Sequence, residues 1–357
     1  MQPKNHKERP FVVWLGCPRH DGGEYLSDFR NEFDYTILEA DNRQEVKEKL
    51  PALIAKHGPI DAFIVPMGTM TYAPFDQDLF GPLASECGII TSSKAGYDEF
   101  DVEWITSQGI WLCNTTNAIV ESTSNMAIFL TLAAVRDTYR TEQTLRNGAW
   151  TSVLYPTHDI TGMTIGIVGM GKVGKRVASK AKAFNMRVKY FNRHRLSDQE
   201  EALYSASYCD SLHALLSVSD IISINCPLNE DTRNLISTAE FAAMKDGSYL
   251  INTARGAIID EDALIQALES GKIARAGLDV FCNEPHINSY FQRSDKVICQ
   301  PHMGGVTQDA FRLAEIECLE NIRAYFKTGK PITPINDPSA QFQKELTVSR
   351  VSYISHN

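Results

Sequence analysis

The stretch Thr164–Gly174, reading TIGIVGMGKVG, carries the spacing G-x-G-x-x-G at Gly169, Gly171 and Gly174. That spacing suits a pyrophosphate. The first glycine allows a tight turn, the second lets backbone approach the phosphates, and the third lets a helix pack against a strand. Thr164–Val168 is a β-branched, apolar run and reads as a buried parallel strand; Lys175–Phe184 has helical composition. A phosphate at the helix N-terminus would meet free N–H groups and the positive end of the dipole. Lys172 and Val173 sit between the glycines and are counted with them as cofactor contacts. The spacing also occurs in plain turns, but a strand before and a helix after favour nucleotide binding.

A second signal lies after the expected strand Arg187–Phe191. An NAD site places a carboxylate there, on the ribose hydroxyls, some twenty residues past the first glycine. This chain has Asn192-Arg193-His194-Arg195 instead. A carboxylate would repel the 2′-phosphate of NADP, whereas arginine pairs with it. NADP(H) is therefore expected to be preferred, with NAD(H) also accepted. The alternative is that Arg193 and Arg195 form a solvated charge cluster.

These residues need a scaffold. A chain of 357 residues suggests two domains. The net charge of −9 argues against a nucleic-acid binder. Met126–Val135, the longest apolar helix candidate, is too short to cross a bilayer, and the polar N-terminus has no secretory core. The eight cysteines lack C-x-x-C pairs, and Cys113, Cys226 and Cys299 fall in apolar strand candidates. They read as reduced thiols of a cytoplasmic protein. His158, His194, His213, His286 and His302 show no H-E-x-x-H spacing, so no metal is expected.

Along the chain, strands are expected at Phe11–Gly16, Asp34–Ala40, Asp61–Pro66, Cys87–Thr91 and Gly109–Asn114, with helices at Glu45–His57 and Phe100–Gln108. Alternation of this kind implies a parallel sheet covered by helices. Glu121–Asn147 is expected as one long helix, N-capped by Ser122, Thr123 or Ser124, whose first half is buried on all sides. After the glycine loop come strands at Arg187–Phe191, Asp220–Cys226, Ser248–Thr253, Arg275–Val280 and Lys296–Gln300, with helices at Ser211–Val218, Thr238–Met244 and Glu261–Ser270. A final helix, Ala310–Phe326, is expected to return to the first domain. The expected domains are residues 1–120 with 315–357, and residues 121–314. The tail from Asn336 is assigned no structure.

Five segments now carry a resemblance: Ala95–Asp101 (AGYDEFD), Gly169–Gly174, Ile251–Leu264 (INTARGAIIDEDAL), Gly277–Pro285 (GLDVFCNEP) and Gln300–Gly305 (QPHMGG). In this order, over about residues 90–330, the chain resembles the D-isomer specific 2-hydroxyacid dehydrogenase family. The wording of Trp14–His20, Phe241–Lys245 and His302–Val306 looks most like fungal D-mandelate dehydrogenases. The resemblance implies two Rossmann-like α/β domains, flavodoxin-like and NAD(P)-binding, with the active site in the cleft between them. It also implies a homodimer built around a helix like Glu121–Asn147.

Reducing a 2-keto acid requires that the carboxylate be gripped, the carbonyl polarised and a proton supplied. Arg255, at the C-terminal edge of a strand, offers paired donors on a permanent charge. His302 suits proton transfer at neutral pH, and Glu284 would orient its ring and favour its charged form. Related formate dehydrogenases carry glutamine at the place of Glu284, because they transfer no proton. Backbone N–H groups near Lys94, Ala95, Gly96 and Tyr97 are the implied second anchor for the carboxylate. The family usually has glycine where Lys94 stands; the lysine projects either toward substrate or to solvent. The family's NTP and T-A-D read Asn114-Thr115-Thr116 and Thr123-Ser124-Asn125 here. By resemblance, Asp279 meets the nicotinamide end, and Cys226, Pro227, Thr232, Thr253, Ala254 and Gly305 line the cofactor path.

The substrate is expected to be a 2-keto or 2-hydroxy acid, either aromatic (benzoylformate to D-mandelate) or small (glyoxylate, hydroxypyruvate). Tyr72, Phe75, Tyr97, Trp111, Trp150 and Tyr155 are aromatics that would line a pocket or the core. A reading of a different class is a nucleotide-sensing corepressor, since such relatives keep the same Arg, Glu and His.

Overall fold

The computed structural model describes residues 9–19, 24–68, 70–84, 86–150 and 155–339. The tail beyond 339 lies outside them. Two compact units form: Met1–Ile119 with Gln308–Asn357, and Val120–Thr307. The second crossing precedes the expected boundary after 314, because the last helix, Gln308–Thr328, starts early.

The first unit holds five parallel strands: β1 (Phe11–Leu15), β2 (Asp34–Leu38), β3 (Ala62–Val65), β4 (Ile89–Ser92) and β5 (Trp111–Asn114). Their order is β2-β1-β3-β4-β5. β1, β3 and β4 are buried on both faces, as their unbroken apolar runs require. Phe11, Val13 and Leu15 pack with Phe63, Leu50 and Phe80 on one side. Val12 and Trp14 pack with Phe29 and with Leu319 and Ile322 of the last helix on the other. The helix over Glu24–Glu32 has no counterpart among the expected elements. Phe75 and Trp111 are core residues, while Tyr97 is exposed.

The second unit holds seven parallel strands: β6 (Thr164–Val168), β7 (Arg187–Phe191), β8 (Ala206–Tyr208), β9 (Ile221–Ile224), β10 (Ser248–Asn252), β11 (Ile273–Leu278) and β12 (Val297–Cys299). The order β12-β11-β10-β9-β6-β7-β8 reverses direction at β6. Ligands of open α/β sheets gather at such a switch point, beyond the strands' carboxyl ends. β8 and the helix Asp198–Tyr204 before it have no counterpart among the expected elements. Ser197 and Glu200 form a reciprocal capping box at that helix's start.

The expected single helix Glu121–Asn147 is two helices, Val120–Val135 and Thr138–Arg146. Asp137 between them adopts the left-handed conformation, φ 51°. Its buried carboxylate binds Arg140 Nε at 2.5 Å and Arg275 of β11 at 2.7 Å. Two cations thus hold the break in place. Ser122–Ser124 are not caps, because the helix begins at Val120; the Ser124 hydroxyl donates to the Glu121 carbonyl. Nor is the first half buried all round, since Phe129 is 51% exposed.

Candidate active site

β6 delivers the glycine loop. Gly169 has φ +94°, and a Cβ there would lie 2.6 Å from the Cys226 nitrogen. The turn therefore presses β6's end against the chain leaving β9, and only glycine fits. A Cβ on Gly174 would lie 2.2 Å from the Gly169 carbonyl oxygen, so the helix Lys172–Ala183 runs tight against the turn. Gly171 differs. Nothing lies within 4 Å of its missing Cβ, and it stands at the helix N-cap with no side-chain cap. The Lys175 N–H donates to the Gly171 carbonyl at 2.9 Å, so the helix's first turn is built on Gly171 itself. This is an open cradle, and it fits a dinucleotide's pyrophosphate.

Asn192–Arg195 follow β7. The Asn192 amide donates to the His194 carbonyl at 3.0 Å and closes the turn. Arg195 pairs with Glu201 through Nε and Nη2, both at 2.9 Å. Beyond β9, the Thr232 hydroxyl donates to the Pro227 carbonyl at 2.7 Å and accepts the Asn229 N–H at 2.8 Å. Thr232 thus braces the Cys226–Thr232 segment with its own side chain.

β10 delivers Arg255. The buried Asn252 makes the turn: its Oδ1 accepts the Ala254 N–H at 2.9 Å, and its Nδ2 donates to the Arg255 carbonyl at 2.9 Å. Thr253 is buried, and Ala254 and Arg255 half-buried. A Cβ on Gly256 would lie 2.0 Å from the Phe281 carbonyl carbon. That close approach sets Arg255 beside the Phe281–Glu284 loop, near enough for its charge to act on Glu284. Neither Asn252 nor Gly256 is among the expected site residues. The signal was present in their place within NTARG, but a contact with Phe281 is not local.

β11 delivers Asp279, and the loop after β12 delivers His302. Asp279 Oδ1 and Oδ2 accept the N–H groups of Met303 and Gly304, each at 2.7 Å. Its carbonyl accepts the His302 N–H at 2.8 Å, and its own N–H donates to Asn252 at 2.9 Å. Burial pushes the Asp279 carboxyl up to about 6, against the two N–H groups and His302, which pull it down. His302 itself sits at φ 57°, a left-handed backbone held by these bonds. Gly305 accepts the Thr307 N–H within the turn that follows.

His302 Nδ1 lies 2.7 Å from Glu284 Oε2, and Glu284 Oε1 accepts the Phe281 N–H at 2.8 Å. Both carboxylate oxygens are thus committed, and the imidazole keeps Nε2 for a proton. Burial raises the Glu284 carboxyl, but its bond to His302, His302's charge, the Phe281 N–H and Arg255 outweigh it, and the net shift is downward. Arg255, Glu284, His302 and Asp279 therefore form one constellation within the second unit.

In the first unit, Lys94 follows β4 and is 14% exposed, its Nζ on Glu99 Oε2 at 2.5 Å. It is neither free in solvent nor an unpaired charge. The Asn114 amide donates to the Ala95 carbonyl at 2.6 Å and fixes the loop holding Gly96 and Tyr97.

Residues 128–304 match the model for the NAD-binding domain of D-isomer specific 2-hydroxyacid dehydrogenases. A dehydrogenase, efuE, of Hormonema carpetanum is 51% identical over 94% of this chain and 84% of its own. The chain belongs to the D-isomer specific 2-hydroxyacid dehydrogenase family. The 4-methyl-2-oxopentanoate reductase A of Aspergillus oryzae is 40% identical over 75% of this chain and 81% of its own. Among solved structures, a glyoxylate reductase from Paecilomyes thermophila superposes with a TM-score of 0.85 at 33% identity, covering 92% and 99% of the two chains. The holo form of Rhodotorula graminis D-mandelate dehydrogenase gives 0.86 at 31%, covering 92% and 98%. This dehydrogenase is accordingly an NAD(P)-dependent oxidoreductase acting on the CH–OH group of small 2-hydroxy acids, or on their keto forms. Among the described residues, no helix is long and apolar enough to cross a membrane, and no cluster of His, Cys, Asp and Glu fits a metal.

Proposed function

We propose that this dehydrogenase is a D-specific 2-keto acid reductase that prefers NADPH and takes bulky apolar substrates of the benzoylformate or 4-methyl-2-oxopentanoate type. The contact that carries the reading is His302 Nδ1 on Glu284 Oε2 at 2.7 Å, beside Arg255. Glu284 fixes the ring and His302 Nε2 gives the proton to the carbonyl oxygen. Arg255 grips the substrate carboxylate and polarises the carbonyl. The bound cofactor supplies the hydride. Gly169, Gly171, Lys172, Val173 and Gly174 hold its pyrophosphate, and Cys226, Pro227, Thr253, Ala254, Asp279 and Gly305 flank the rest.

Arginines without an acid after β7 support NADPH. For substrate size, the support is the activity named for two similar proteins, the 4-methyl-2-oxopentanoate reductase and the D-mandelate dehydrogenase. Exposed Phe129 and Tyr155, which line one groove along the helix Val120–Val135, support a homodimer. Eight unpaired thiols suit a cytoplasmic location.

The test is a panel of benzoylformate, 4-methyl-2-oxopentanoate, glyoxylate and hydroxypyruvate, run with NADPH and NADH. The highest kcat/KM is expected for one of the first two acids with NADPH. A preference for glyoxylate or hydroxypyruvate overturns the substrate reading, and equal KM values for the two cofactors overturn the cofactor reading.

A further inference from the structure

We infer that Glu201 is a positioning residue for cofactor choice: it takes Arg195 out of direct phosphate contact and uses it to brace the loop, so that Arg193 alone reads the 2′-phosphate. This inference rests on the NADPH preference proposed above.

The loop Asn192–Leu196 is fixed at several points. The Tyr190 ring is fully buried in the second unit's core. Its hydroxyl donates to Glu201 Oε1 at 2.7 Å and accepts the Leu196 N–H at 2.9 Å. Glu201 is only 13% exposed and receives both forks of Arg195. The Arg195 guanidinium also lies over the Tyr208 ring, 5.9 Å from its centroid. The Tyr208 hydroxyl reaches back to the Asn192 carbonyl at 3.4 Å. Glu201 is held down to about 2, chiefly by Arg195 and then by Tyr190, so the carboxylate is ionised at any working pH.

An ordinary exposed ion pair would yield easily to a phosphate. This one is bidentate, is shared with a buried tyrosine and lies over a second ring, so it belongs to a network. For Arg195 to meet a phosphate it must give up two charge-assisted bonds for new ones of the same kind. It must also leave Glu201 without its counter-ion beside the incoming anion. The exchange gains little and adds a like-charge repulsion. Arg193 stands differently: it is exposed, two residues past β7, and pairs with no acid among the described residues. It offers its full fork at no such cost.

The test is steady-state kinetics of the intact enzyme with saturating keto acid and varied NADPH or NADH. Four single variants are compared: Arg193→Ala, Arg195→Ala, Arg195→Lys and Glu201→Gln, with the double variant Arg195→Ala/Glu201→Gln. Arg193→Ala should raise the KM for NADPH about tenfold or more, with a much smaller change for NADH and for kcat. Arg195→Ala and Glu201→Gln should each raise both cofactor KM values by similar factors. The double variant should be no worse than either single one, because the pair acts as a unit. Arg195→Lys should not rescue, since a lysine keeps the charge and loses the fork.

If Arg195 reads the phosphate itself, Arg195→Ala will hurt NADPH alone, Arg195→Lys will restore it, and Glu201→Gln will improve NADPH use. Any of these results overturns the inference. Failure of the cofactor reading is separate and shows in the unmodified enzyme, as equal use of NADH and NADPH.

Discussion

The Gly304 N–H donates to Asp279 Oδ2 at 2.7 Å, and a Cβ on Gly304 would stand at the same 2.7 Å from that oxygen. The carboxylate and the His302 loop are thus in contact so close that only glycine is accommodated. Asp279 also binds Met303 and, through its carbonyl, His302. The placing of the imidazole therefore depends on an acid that is not itself the proton donor.

Gly304→Ala follows directly. The methyl must displace the Asp279 carboxylate or lift the loop, and either moves His302. A misplacement of about 1 Å costs roughly a hundredfold in rate. The expected outcome is a fall of that order in kcat with the fold retained, checked by steady-state kinetics beside a thermal melt. Full activity would show that the loop's position does not depend on this contact.

Asp279 also gives a pH signature. Its carboxyl is raised from the ordinary 3.8 to about 6. Between those values the folded state keeps a proton that the unfolded chain has released. Stability therefore falls as pH rises through this window and is level above it. Asp279→Asn removes that slope. Urea unfolding of both proteins at several pH values should show the wild type losing ground to the variant between about pH 4 and about pH 6. A gap that moves the other way contradicts the assignment.

Glu284 behaves with the opposite sign. Its folded value lies below the ordinary 4.5, because His302, the Phe281 N–H and Arg255 outweigh burial. Its contribution to stability is present above 4.5 and is lost as pH falls through the lower folded value. Glu284→Gln keeps the shape but loses the charge that holds the imidazole for proton transfer. We expect kcat for keto-acid reduction to drop about a hundredfold, with a smaller effect on KM. A variant with wild-type kcat would remove Glu284 from the proton path.

Much of this was legible in the chain. The expected bounds of β6 and β7 are the observed ones, since fully apolar or alternating runs end at glycine or polar turns. Arg255, Glu284 and His302 fall in motifs that follow β10, β11 and β12. What escaped depends on distant partners. The helix break at Asp137 exists because Arg275, far along the chain, supplies a counter-ion. Gly256 matters because Phe281 lies against it, and the turn at Arg255 is tied by Asn252. Arg193 and Arg195 looked alike in sequence; only Glu201, folded back from the next helix, separates them.

The break at Asp137 is itself testable. The carboxylate is fully buried and answers two arginines, of which Arg275 is 21% exposed. Asp137→Ala leaves Arg275 without its partner and a left-handed turn without its anchor. Breaking such a pair costs about 3 kcal/mol. Chemical denaturation should register a loss of that size; a variant as stable as the wild type would show that the ion pairs merely decorate the break.

The proposed homodimer makes the last prediction. A groove of about 800 Å³ runs along the helix Val120–Val135, lined by Phe129, Leu132, Ala133, Arg136 and Tyr155. Phe129 is 51% exposed and Tyr155 75%. Two large aromatics left this open, Phe129 on the helix and Tyr155 across the groove, fit a surface that a second copy covers. Phe129→Glu would place a charge in that contact without touching the second unit's core. Light scattering after size exclusion should read a dimer for the wild type and a monomer for Phe129→Glu. A wild-type monomer would defeat the dimer outright. A dimeric variant would move the interface elsewhere.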